Sequence, residues 1–168
     1  MRSTRAGSTA TAHKDPNLVN AWGISYPPTG QFWISDNHTG VVTVYNSAGQ
    51  PFPPNHPIIV IIPPPRNGMP PASPTGQVFN GTTGFQVAPG QSALFIFATE
   101  DGTISGWNPN VNATEAILKV DNNPSGAVYK GLATNGSFLY ASNYFAGTVD
   151  VFDTNFSPVN NPGGSWIQ

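Results

Sequence analysis

The sequence predicts an all-β protein, a partial β-propeller of about three four-stranded blades with the last one incomplete. Three observations predict it. The first is a repeat: Phe32–Tyr45 (FWISDNHTGVVTVY), Leu94–Trp107 (LFIFATEDGTISGW) and Leu139–Phe152 (LYASNYFAGTVDVF) align without a gap. Each begins with an apolar run, enters a polar loop closed by a glycine (Gly40, Gly102, Gly147), and ends a second strand on an aromatic (Tyr45, Trp107, Phe152). Self-similarity of this kind marks stacked supersecondary units. The second is an opening glycine in each unit, with Gly23 lying 17 residues before Gly40 and Gly131 lying 16 before Gly147. Gly76 precedes Gly102 by 26, which places an insertion at Asn80–Ser92. The third is composition: Gly and Pro number 18 each, charged residues are only 8%, and no stretch has sustained helical periodicity. Many short strands joined by tight turns have this signature. A β-sandwich is also built of short strands, but the repeat favours blades.

The elements follow in order. Residues 1–16 read as a disordered arm, being small, polar and without periodicity. The first unit (17–65) opens with Ala21–Ser25, turns at Pro27–Gly30, runs through Phe32–Ser35, turns at Asp36–Gly40 and continues through Val41–Tyr45. The run Pro57–Ile62 (PIIVII) is its outer strand, and the flanking prolines suit an edge where a missing N–H matters least. The second unit (73–122) begins near Thr75–Phe79, carries the loop Asn80–Ser92, then Leu94–Phe97, Thr103–Trp107 and Ala116–Val120. The third (126–168) has Lys130–Ala133, Phe138–Ser142 and Thr148–Phe152, and its fourth strand is missing or malformed.

Along the third strand of each unit, residues 42 and 44, 104 and 106, and 149 and 151 share one face. Thr43 and Tyr45, Ser105 and Trp107, and Asp150 and Phe152 share the other. Both faces hold apolar groups, as in a sheet covered on each side by a neighbouring blade. The terminal aromatics are therefore core positions. The span Gln50–Pro74 holds ten of the eighteen prolines and reads as a stiff inter-blade loop around the outer strand, or as a polyproline recognition segment.

Composition excludes several function classes. The net charge is −2 and no basic stripe exists, so nucleic acid has no electrostatic footprint here. No apolar run approaches the roughly 18 residues a membrane span needs. There are no cysteines, hence no disulfide or thiolate metal site. The segment MRSTRAGSTATAHKDP has no apolar region of signal-peptide type. N-x-S/T triplets at Asn37, Asn80, Asn112, Asn135 and Asn155 match the abundance of Asn, Ser and Thr.

The stretches Asp15–Ser25, Ser73–Phe85, Ala93–Thr114, Gly126–Ala133 and Leu139–Val159 resemble an uncharacterised family of secreted, mostly bacterial β-propeller proteins, some with a C-terminal PEP-CTERM sorting tail. ATEDGTISGW is the most specific block. The family's wider kin are similar to NHL-type and gluconolactonase-like propellers. The resemblance implies an extracellular or cell-envelope location and a truncated N-terminal half, since neither the leader nor the second half of the family is found in the chain. About three blades cannot close a ring, so self-association through open blade faces, or marginal stability, is expected.

In such a blade the loop between strands two and three shares a rim with the blade-connecting segment. One rim thus collects Asp36, Asn37, His38, Glu100, Asp101 and Asn143 as candidate ligand-binding residues. Carboxylate and amide oxygens of Asp36, Glu100 and Asn143 could together hold calcium or activate a water. The same residues also suit tight-turn chemistry. His13, His38 and His56 stand in three unrelated contexts with no metal-ligand spacing, no G-x-S-x-G elbow occurs, and Asp150 is expected to bond a neighbouring blade. The expected function is a non-enzymatic secreted binding or scaffold module for a glycan, protein or small molecule, without cofactor; the alternative is a metal-dependent hydrolase of the gluconolactonase-like type.

Overall fold

The computed structural model describes residues 13–160. Strands β1 (Ala21–Ser25), β2 (Phe32–Asp36), β3 (Val41–Tyr45) and β4 (Ile59–Ile61) form the first antiparallel sheet in chain order. Strands β5 (Pro74–Phe79), β6 (Gln86–Ala88), β7 (Gln91–Ser92), β8 (Phe95–Thr99), β9 (Thr103–Trp107) and β10 (Ile117–Asp121) follow. Of these, β5, β8, β9 and β10 make the second four-stranded sheet, and β6 pairs with β7 apart from it. Strands β11 (Tyr129–Thr134), β12 (Phe138–Asn143) and β13 (Thr148–Asp153) make a third sheet of three. A turn of 3-10 helix at Asn123–Ser125 precedes it. The protein is all-β and propeller-like, with the inner strands β1, β5 and β11 side by side. The expected outer strand is β4, which pairs with β3 as an edge. Where the third blade lacks β-structure, Val159 N–H donates to Val151 O and Phe152 bridges Pro158, the start of a fourth strand's path along β13.

Register corrects the repeat by one residue. Ser35 pairs with Val42 and Ser142 with Val149, but Ala98 pairs with Ile104. The middle hairpin is thus one residue shorter than its two counterparts, and Phe95, not Leu94, takes the place of Phe32 and Leu139. Leu94 is 40% exposed while Phe95 is 3% exposed, because a slip of one residue exchanges the two faces of a strand. The glycines and terminal aromatics lie after the shift and keep their equivalence. Tyr45, Trp107 and Phe152 are all buried.

Each blade has a forward face toward the next blade and a back face toward the previous one. Trp33, Val42, Val44 and Val60 of blade one pack against Phe95, Phe97 and Trp107 of blade two, with Trp33 stacked on Phe95 at 4.1 Å between ring centroids. Ile96, Ala98, Ile104 and Val120 of blade two pack against Leu139, Ala141 and Phe152 of blade three. Residues 42, 104 and 149 are all forward, as the sequence implies. Full burial of each such side chain is worth roughly 1.5–3 kcal/mol. The insertion is more than a loop: β6 and β7 bring Phe85 and Val87 into the second core cluster, and Phe85 meets Phe156 edge-on at 5.4 Å.

Close approach of the inner strands explains the opening glycines. A Cβ on Gly23 would lie 2.3 Å from Thr75 O, and one on Gly76 would lie 2.5 Å from Leu132 N. Polar side chains then stitch blade to blade. Gln77 Nε2 donates to Gly23 O (2.9 Å) and to Trp33 O, and Thr75 Oγ1 donates to Tyr129 O (2.7 Å).

Candidate functional site

The loops β2–β3, β8–β9 and β12–β13 gather on one rim with the segments that lead into β1, β5 and β11. The backbone makes the same join three times: Asn37 N–H donates to Asn20 O, Glu100 N–H to Ser73 O, and Tyr144 N–H to Val128 O. Asn37, Glu100 and Tyr144 are therefore equivalent first loop residues. Trp22, Thr75 and Lys130 are equivalent too, each preceding its unit's glycine on the inner strand.

These two rows meet. Asn37 Nδ2 donates to Glu100 Oε2 at 2.9 Å and to Pro74 O at 3.3 Å, while Asn20 Nδ2 donates to Asn37 Oδ1 at 3.0 Å. The other oxygen of Glu100 accepts from the Lys130 ammonium as an ion pair. Lys130 Nζ lies 4.8 Å from the Trp22 ring centroid and 5.8 Å from that of Tyr144. All three blades thus contribute to one carboxylate–ammonium–aromatic cluster. The ion pair with Lys130, aided by the Asn37 amide and by nearby His38, holds the Glu100 carboxyl below its ordinary range despite partial burial. The cluster faces outward: Trp22 is 45% and Tyr144 is 76% exposed. Phe145 beside it is exposed as well.

The remaining candidates go elsewhere. Asp36 is fully buried on the back face of β2, where Thr43 Oγ1 donates to its Oδ2 at 2.7 Å and its Oδ1 has no partner. Burial pushes its carboxyl up to about 7, against the Thr43 hydrogen bond and with a smaller push from Asp15. Asp101 caps the entry to blade two, accepting from Ser73 N–H at 2.6 Å. His38 N–H donates to Val19 O in the turn. Asn143 braces its own blade: its Oδ1 accepts from Val128 N–H and Ala146 N–H, and its Nδ2 donates to Asp150 Oδ2 at 3.1 Å. Asp150 also accepts from Tyr129 OH (2.9 Å) and Thr148 Oγ1 (2.9 Å), so its partners are all in blade three and not in a neighbour.

Asp36, Glu100 and Asn143 thus each have separate partners. Among the described residues no group of three or more His, Asp or Glu side chains is gathered closely enough for a metal ion. A polar cleft of about 580 Å³ lies at the opposite rim, lined by Thr82, Thr83, Gln86, Lys119, Thr154 and Asn155 among others, and brings no acid–base pair together.

Sequence reasoning found the rim but missed Trp22, Lys130 and Tyr144 as its members. The signal was present: Trp22 and Lys130 occupy the position just before each opening glycine, and Tyr144 lies in the loop already singled out.

No protein-family model matches the chain. Two uncharacterised proteins of Acanthamoeba polyphaga mimivirus are 32% identical over 152 residues and 30% identical over 151 residues, each alignment covering 87% of this chain. The chain spans 36% and 38% of the length of those relatives. Among solved structures, a catalytically inactive virginiamycin B lyase from Staphylococcus aureus, determined with quinupristin, superposes with a TM-score of 0.56 at 14% identity, covering 81% of this chain and 39% of the lyase. That likeness is one of fold.

Proposed function

We propose that the chain is a non-enzymatic binding module of an extracellular or cell-envelope propeller, which holds a glycan at the Trp22–Lys130–Glu100–Tyr144 cluster and self-associates through its open blade faces. The observation that carries the reading is the ammonium of Lys130 fixed between Glu100 and two exposed aromatic rings. Aromatic faces take up the apolar faces of sugar rings, and a few fixed polar groups around them orient hydroxyls. Asn37, Glu100 and Lys130 supply those groups. The same cluster is poorly made for hydrolysis. A carboxylate held ionised by an ammonium is a weak base and no acid at neutral pH, and general acid–base catalysis needs a group poised near the working pH.

The test is a titration with a panel of neutral oligosaccharides, read by intrinsic tryptophan fluorescence and calorimetry. Trp22→Ala and Tyr144→Ala should each weaken binding by about tenfold, the loss of one aromatic contact. Absence of binding across the panel, or undiminished binding by both variants, would sink the reading.

A further inference from the structure

Among the described residues, blade two alone carries an inserted β6–β7 hairpin, and this hairpin packs on blade three. Phe85 N–H donates to Thr154 O at 2.7 Å. Glycines let the two walls come together: a Cβ on Gly84 would lie 2.8 Å from Thr154 Cβ, and one on Gly136 would lie 3.3 Å from Thr82 Cγ2. Phe85 and Phe156, edge-on to each other at 5.4 Å, hold φ at 55° and 62°. The left-handed region is rare for a bulky side chain, and backbone strain of this kind concentrates at ligand sites. The polar cleft of about 580 Å³ is lined by the chain neighbours of both phenylalanines, Gly84 and Gln86 on one wall and Thr154 and Asn155 on the other.

A β-bulge brings Lys119 to the same cleft. Leu118 pairs with Ser105 and Val120 with Ile104, which leaves Lys119 as the extra residue of β10. Strict alternation would turn only one of Lys119 and Val120 toward blade three, and the bulge lets both face it. Val120 stays in the core, and the Lys119 ammonium stands 5.5 Å from the centroid of the Phe156 ring. Among the described residues this ammonium has no ion-pair partner, and the lining of the cleft contains no Asp or Glu. Asp153, next to Thr154 in sequence, accepts at Oδ1 from Asn155 N–H and Ser157 N–H. Thr82 Oγ1 is taken up by Asn80 at 2.8 Å, and Gln86 Oε1 by Gly90 N–H at 3.0 Å. The hydroxyls of Thr83 and Thr154, the Asn155 amide and Nε2 of Gln86 bond no other described residue and line the cleft with donors and acceptors.

We propose that this cleft is a second binding site, for an acidic sugar of the hexuronic-acid type, whose carboxylate pairs with Lys119 while its hydroxyls bond Thr83, Gln86, Thr154 and Asn155. The site does not rest on the Trp22–Lys130 cluster, which lies at the other rim. Its chemistry selects the class. One ammonium with no acid beside it matches a ligand with one negative charge, and a charge-assisted hydrogen bond to a carboxylate is among the strong ones. Phosphate sites instead draw on arginine forks or on the amides of a helix N-terminus, and the lining supplies neither. The hydroxyl and amide groups around the ammonium suit a polyhydroxylated body, and the volume falls within the roughly 300–1,000 Å³ of small-molecule sites.

The experiment is two-dimensional amide NMR of the 168-residue chain during titration with glucuronate, with glucose and inorganic phosphate as comparison ligands. The expected result is a saturable shift of the Gly84, Gln86, Gly136 and Asn155 amides with glucuronate, and binding of glucose weaker by about tenfold or more. Lys119→Gln should weaken glucuronate by about tenfold while the amides away from the cleft keep their parent positions. Thr83→Val, at an exposed position that folding does not depend on, should weaken it by a smaller factor. Trp22→Ala should bind glucuronate as the parent does, even where it loses the neutral oligosaccharides of the other rim. No saturable shift, equal binding of glucose, or undiminished binding by Lys119→Gln would overturn the site. Phosphate binding tighter than glucuronate would overturn the ligand class. Loss of glucuronate binding in Trp22→Ala would overturn the independence of the two sites.

Discussion

Asp36 shows how a residue's position changes its chemistry. In sequence it begins a polar loop, where a carboxylate turns the chain and stays wet. In the fold it ends β2 on the back face, fully buried, with one oxygen bonded to Thr43 and the other unpartnered. Its carboxyl therefore titrates near 7, above the ordinary 3.8. The folded protein binds a proton there that the unfolded chain has already lost, so stability is greatest below pH 4 as far as this group is concerned. It declines by at most about 1.4 kcal/mol per pH unit as the pH rises toward 7, and levels above it. Asp36→Asn should flatten that slope and raise the melting temperature at pH 8, as measured by calorimetry across pH 4–8. An unchanged slope would mean that the buried charge is compensated. Glu100 is the opposite case. Its carboxyl is lowered, but both it and Lys130 are about a third exposed, and such a pair contributes no more than about 1 kcal/mol. Its value lies in holding a shape at the rim.

At the scale of the element, glycine spacing and terminal aromatics located the strands because both are demanded by packing. The opening glycines permit inner strands to touch, and the aromatics fill the back face. The same logic separates two substitutions that look alike in sequence. Gly76→Ala should destabilise the fold by about 2 kcal/mol or more, since its Cβ meets backbone that cannot move without parting the blades. Gly131→Ala, opposed among the described residues only by a serine hydroxyl, should stay within about 0.5 kcal/mol. Denaturant melts of the two variants check this, and equal losses would refute the packing argument. The one-residue contraction of the β8–β9 hairpin was not legible. Leu94 and Phe95 are both apolar, so the pattern alone gave no sign of which one faced the core. The insertion misled for a related reason. Its Gly- and Thr-rich sequence reads as a loop, yet Phe85 at φ 55° is drawn into the core by tertiary contacts with Phe156.

The whole molecule assembles a rim from three blades, and only there do Trp22, Asn37, Glu100, Lys130 and Tyr144 become neighbours. Of the candidate residues outside that cluster, Asp36 and Asn143 are held by hydrogen bonds within their own blades. Addition of calcium or manganese at millimolar concentration should therefore leave the melting temperature unchanged, within a degree, in a thermal scan. A rise that saturates with metal would revive a cation site, because a ligand bound to the folded state alone stabilises it by mass action.

The sequence by itself determined the all-β class, the number of blades and the position of the outer strand PIIVII. Each follows from local periodicity, turn residues and a repeat, which are properties of nearest neighbours along the chain. Only the tertiary structure decided which rim residues meet, and that Asp36 is buried while Glu100 is paired. Those outcomes depend on residues far apart in the chain, such as Asn37 and Glu100 or Trp22 and Lys130. Their proximity is a consequence of how whole sheets stack, and no local pattern encodes it.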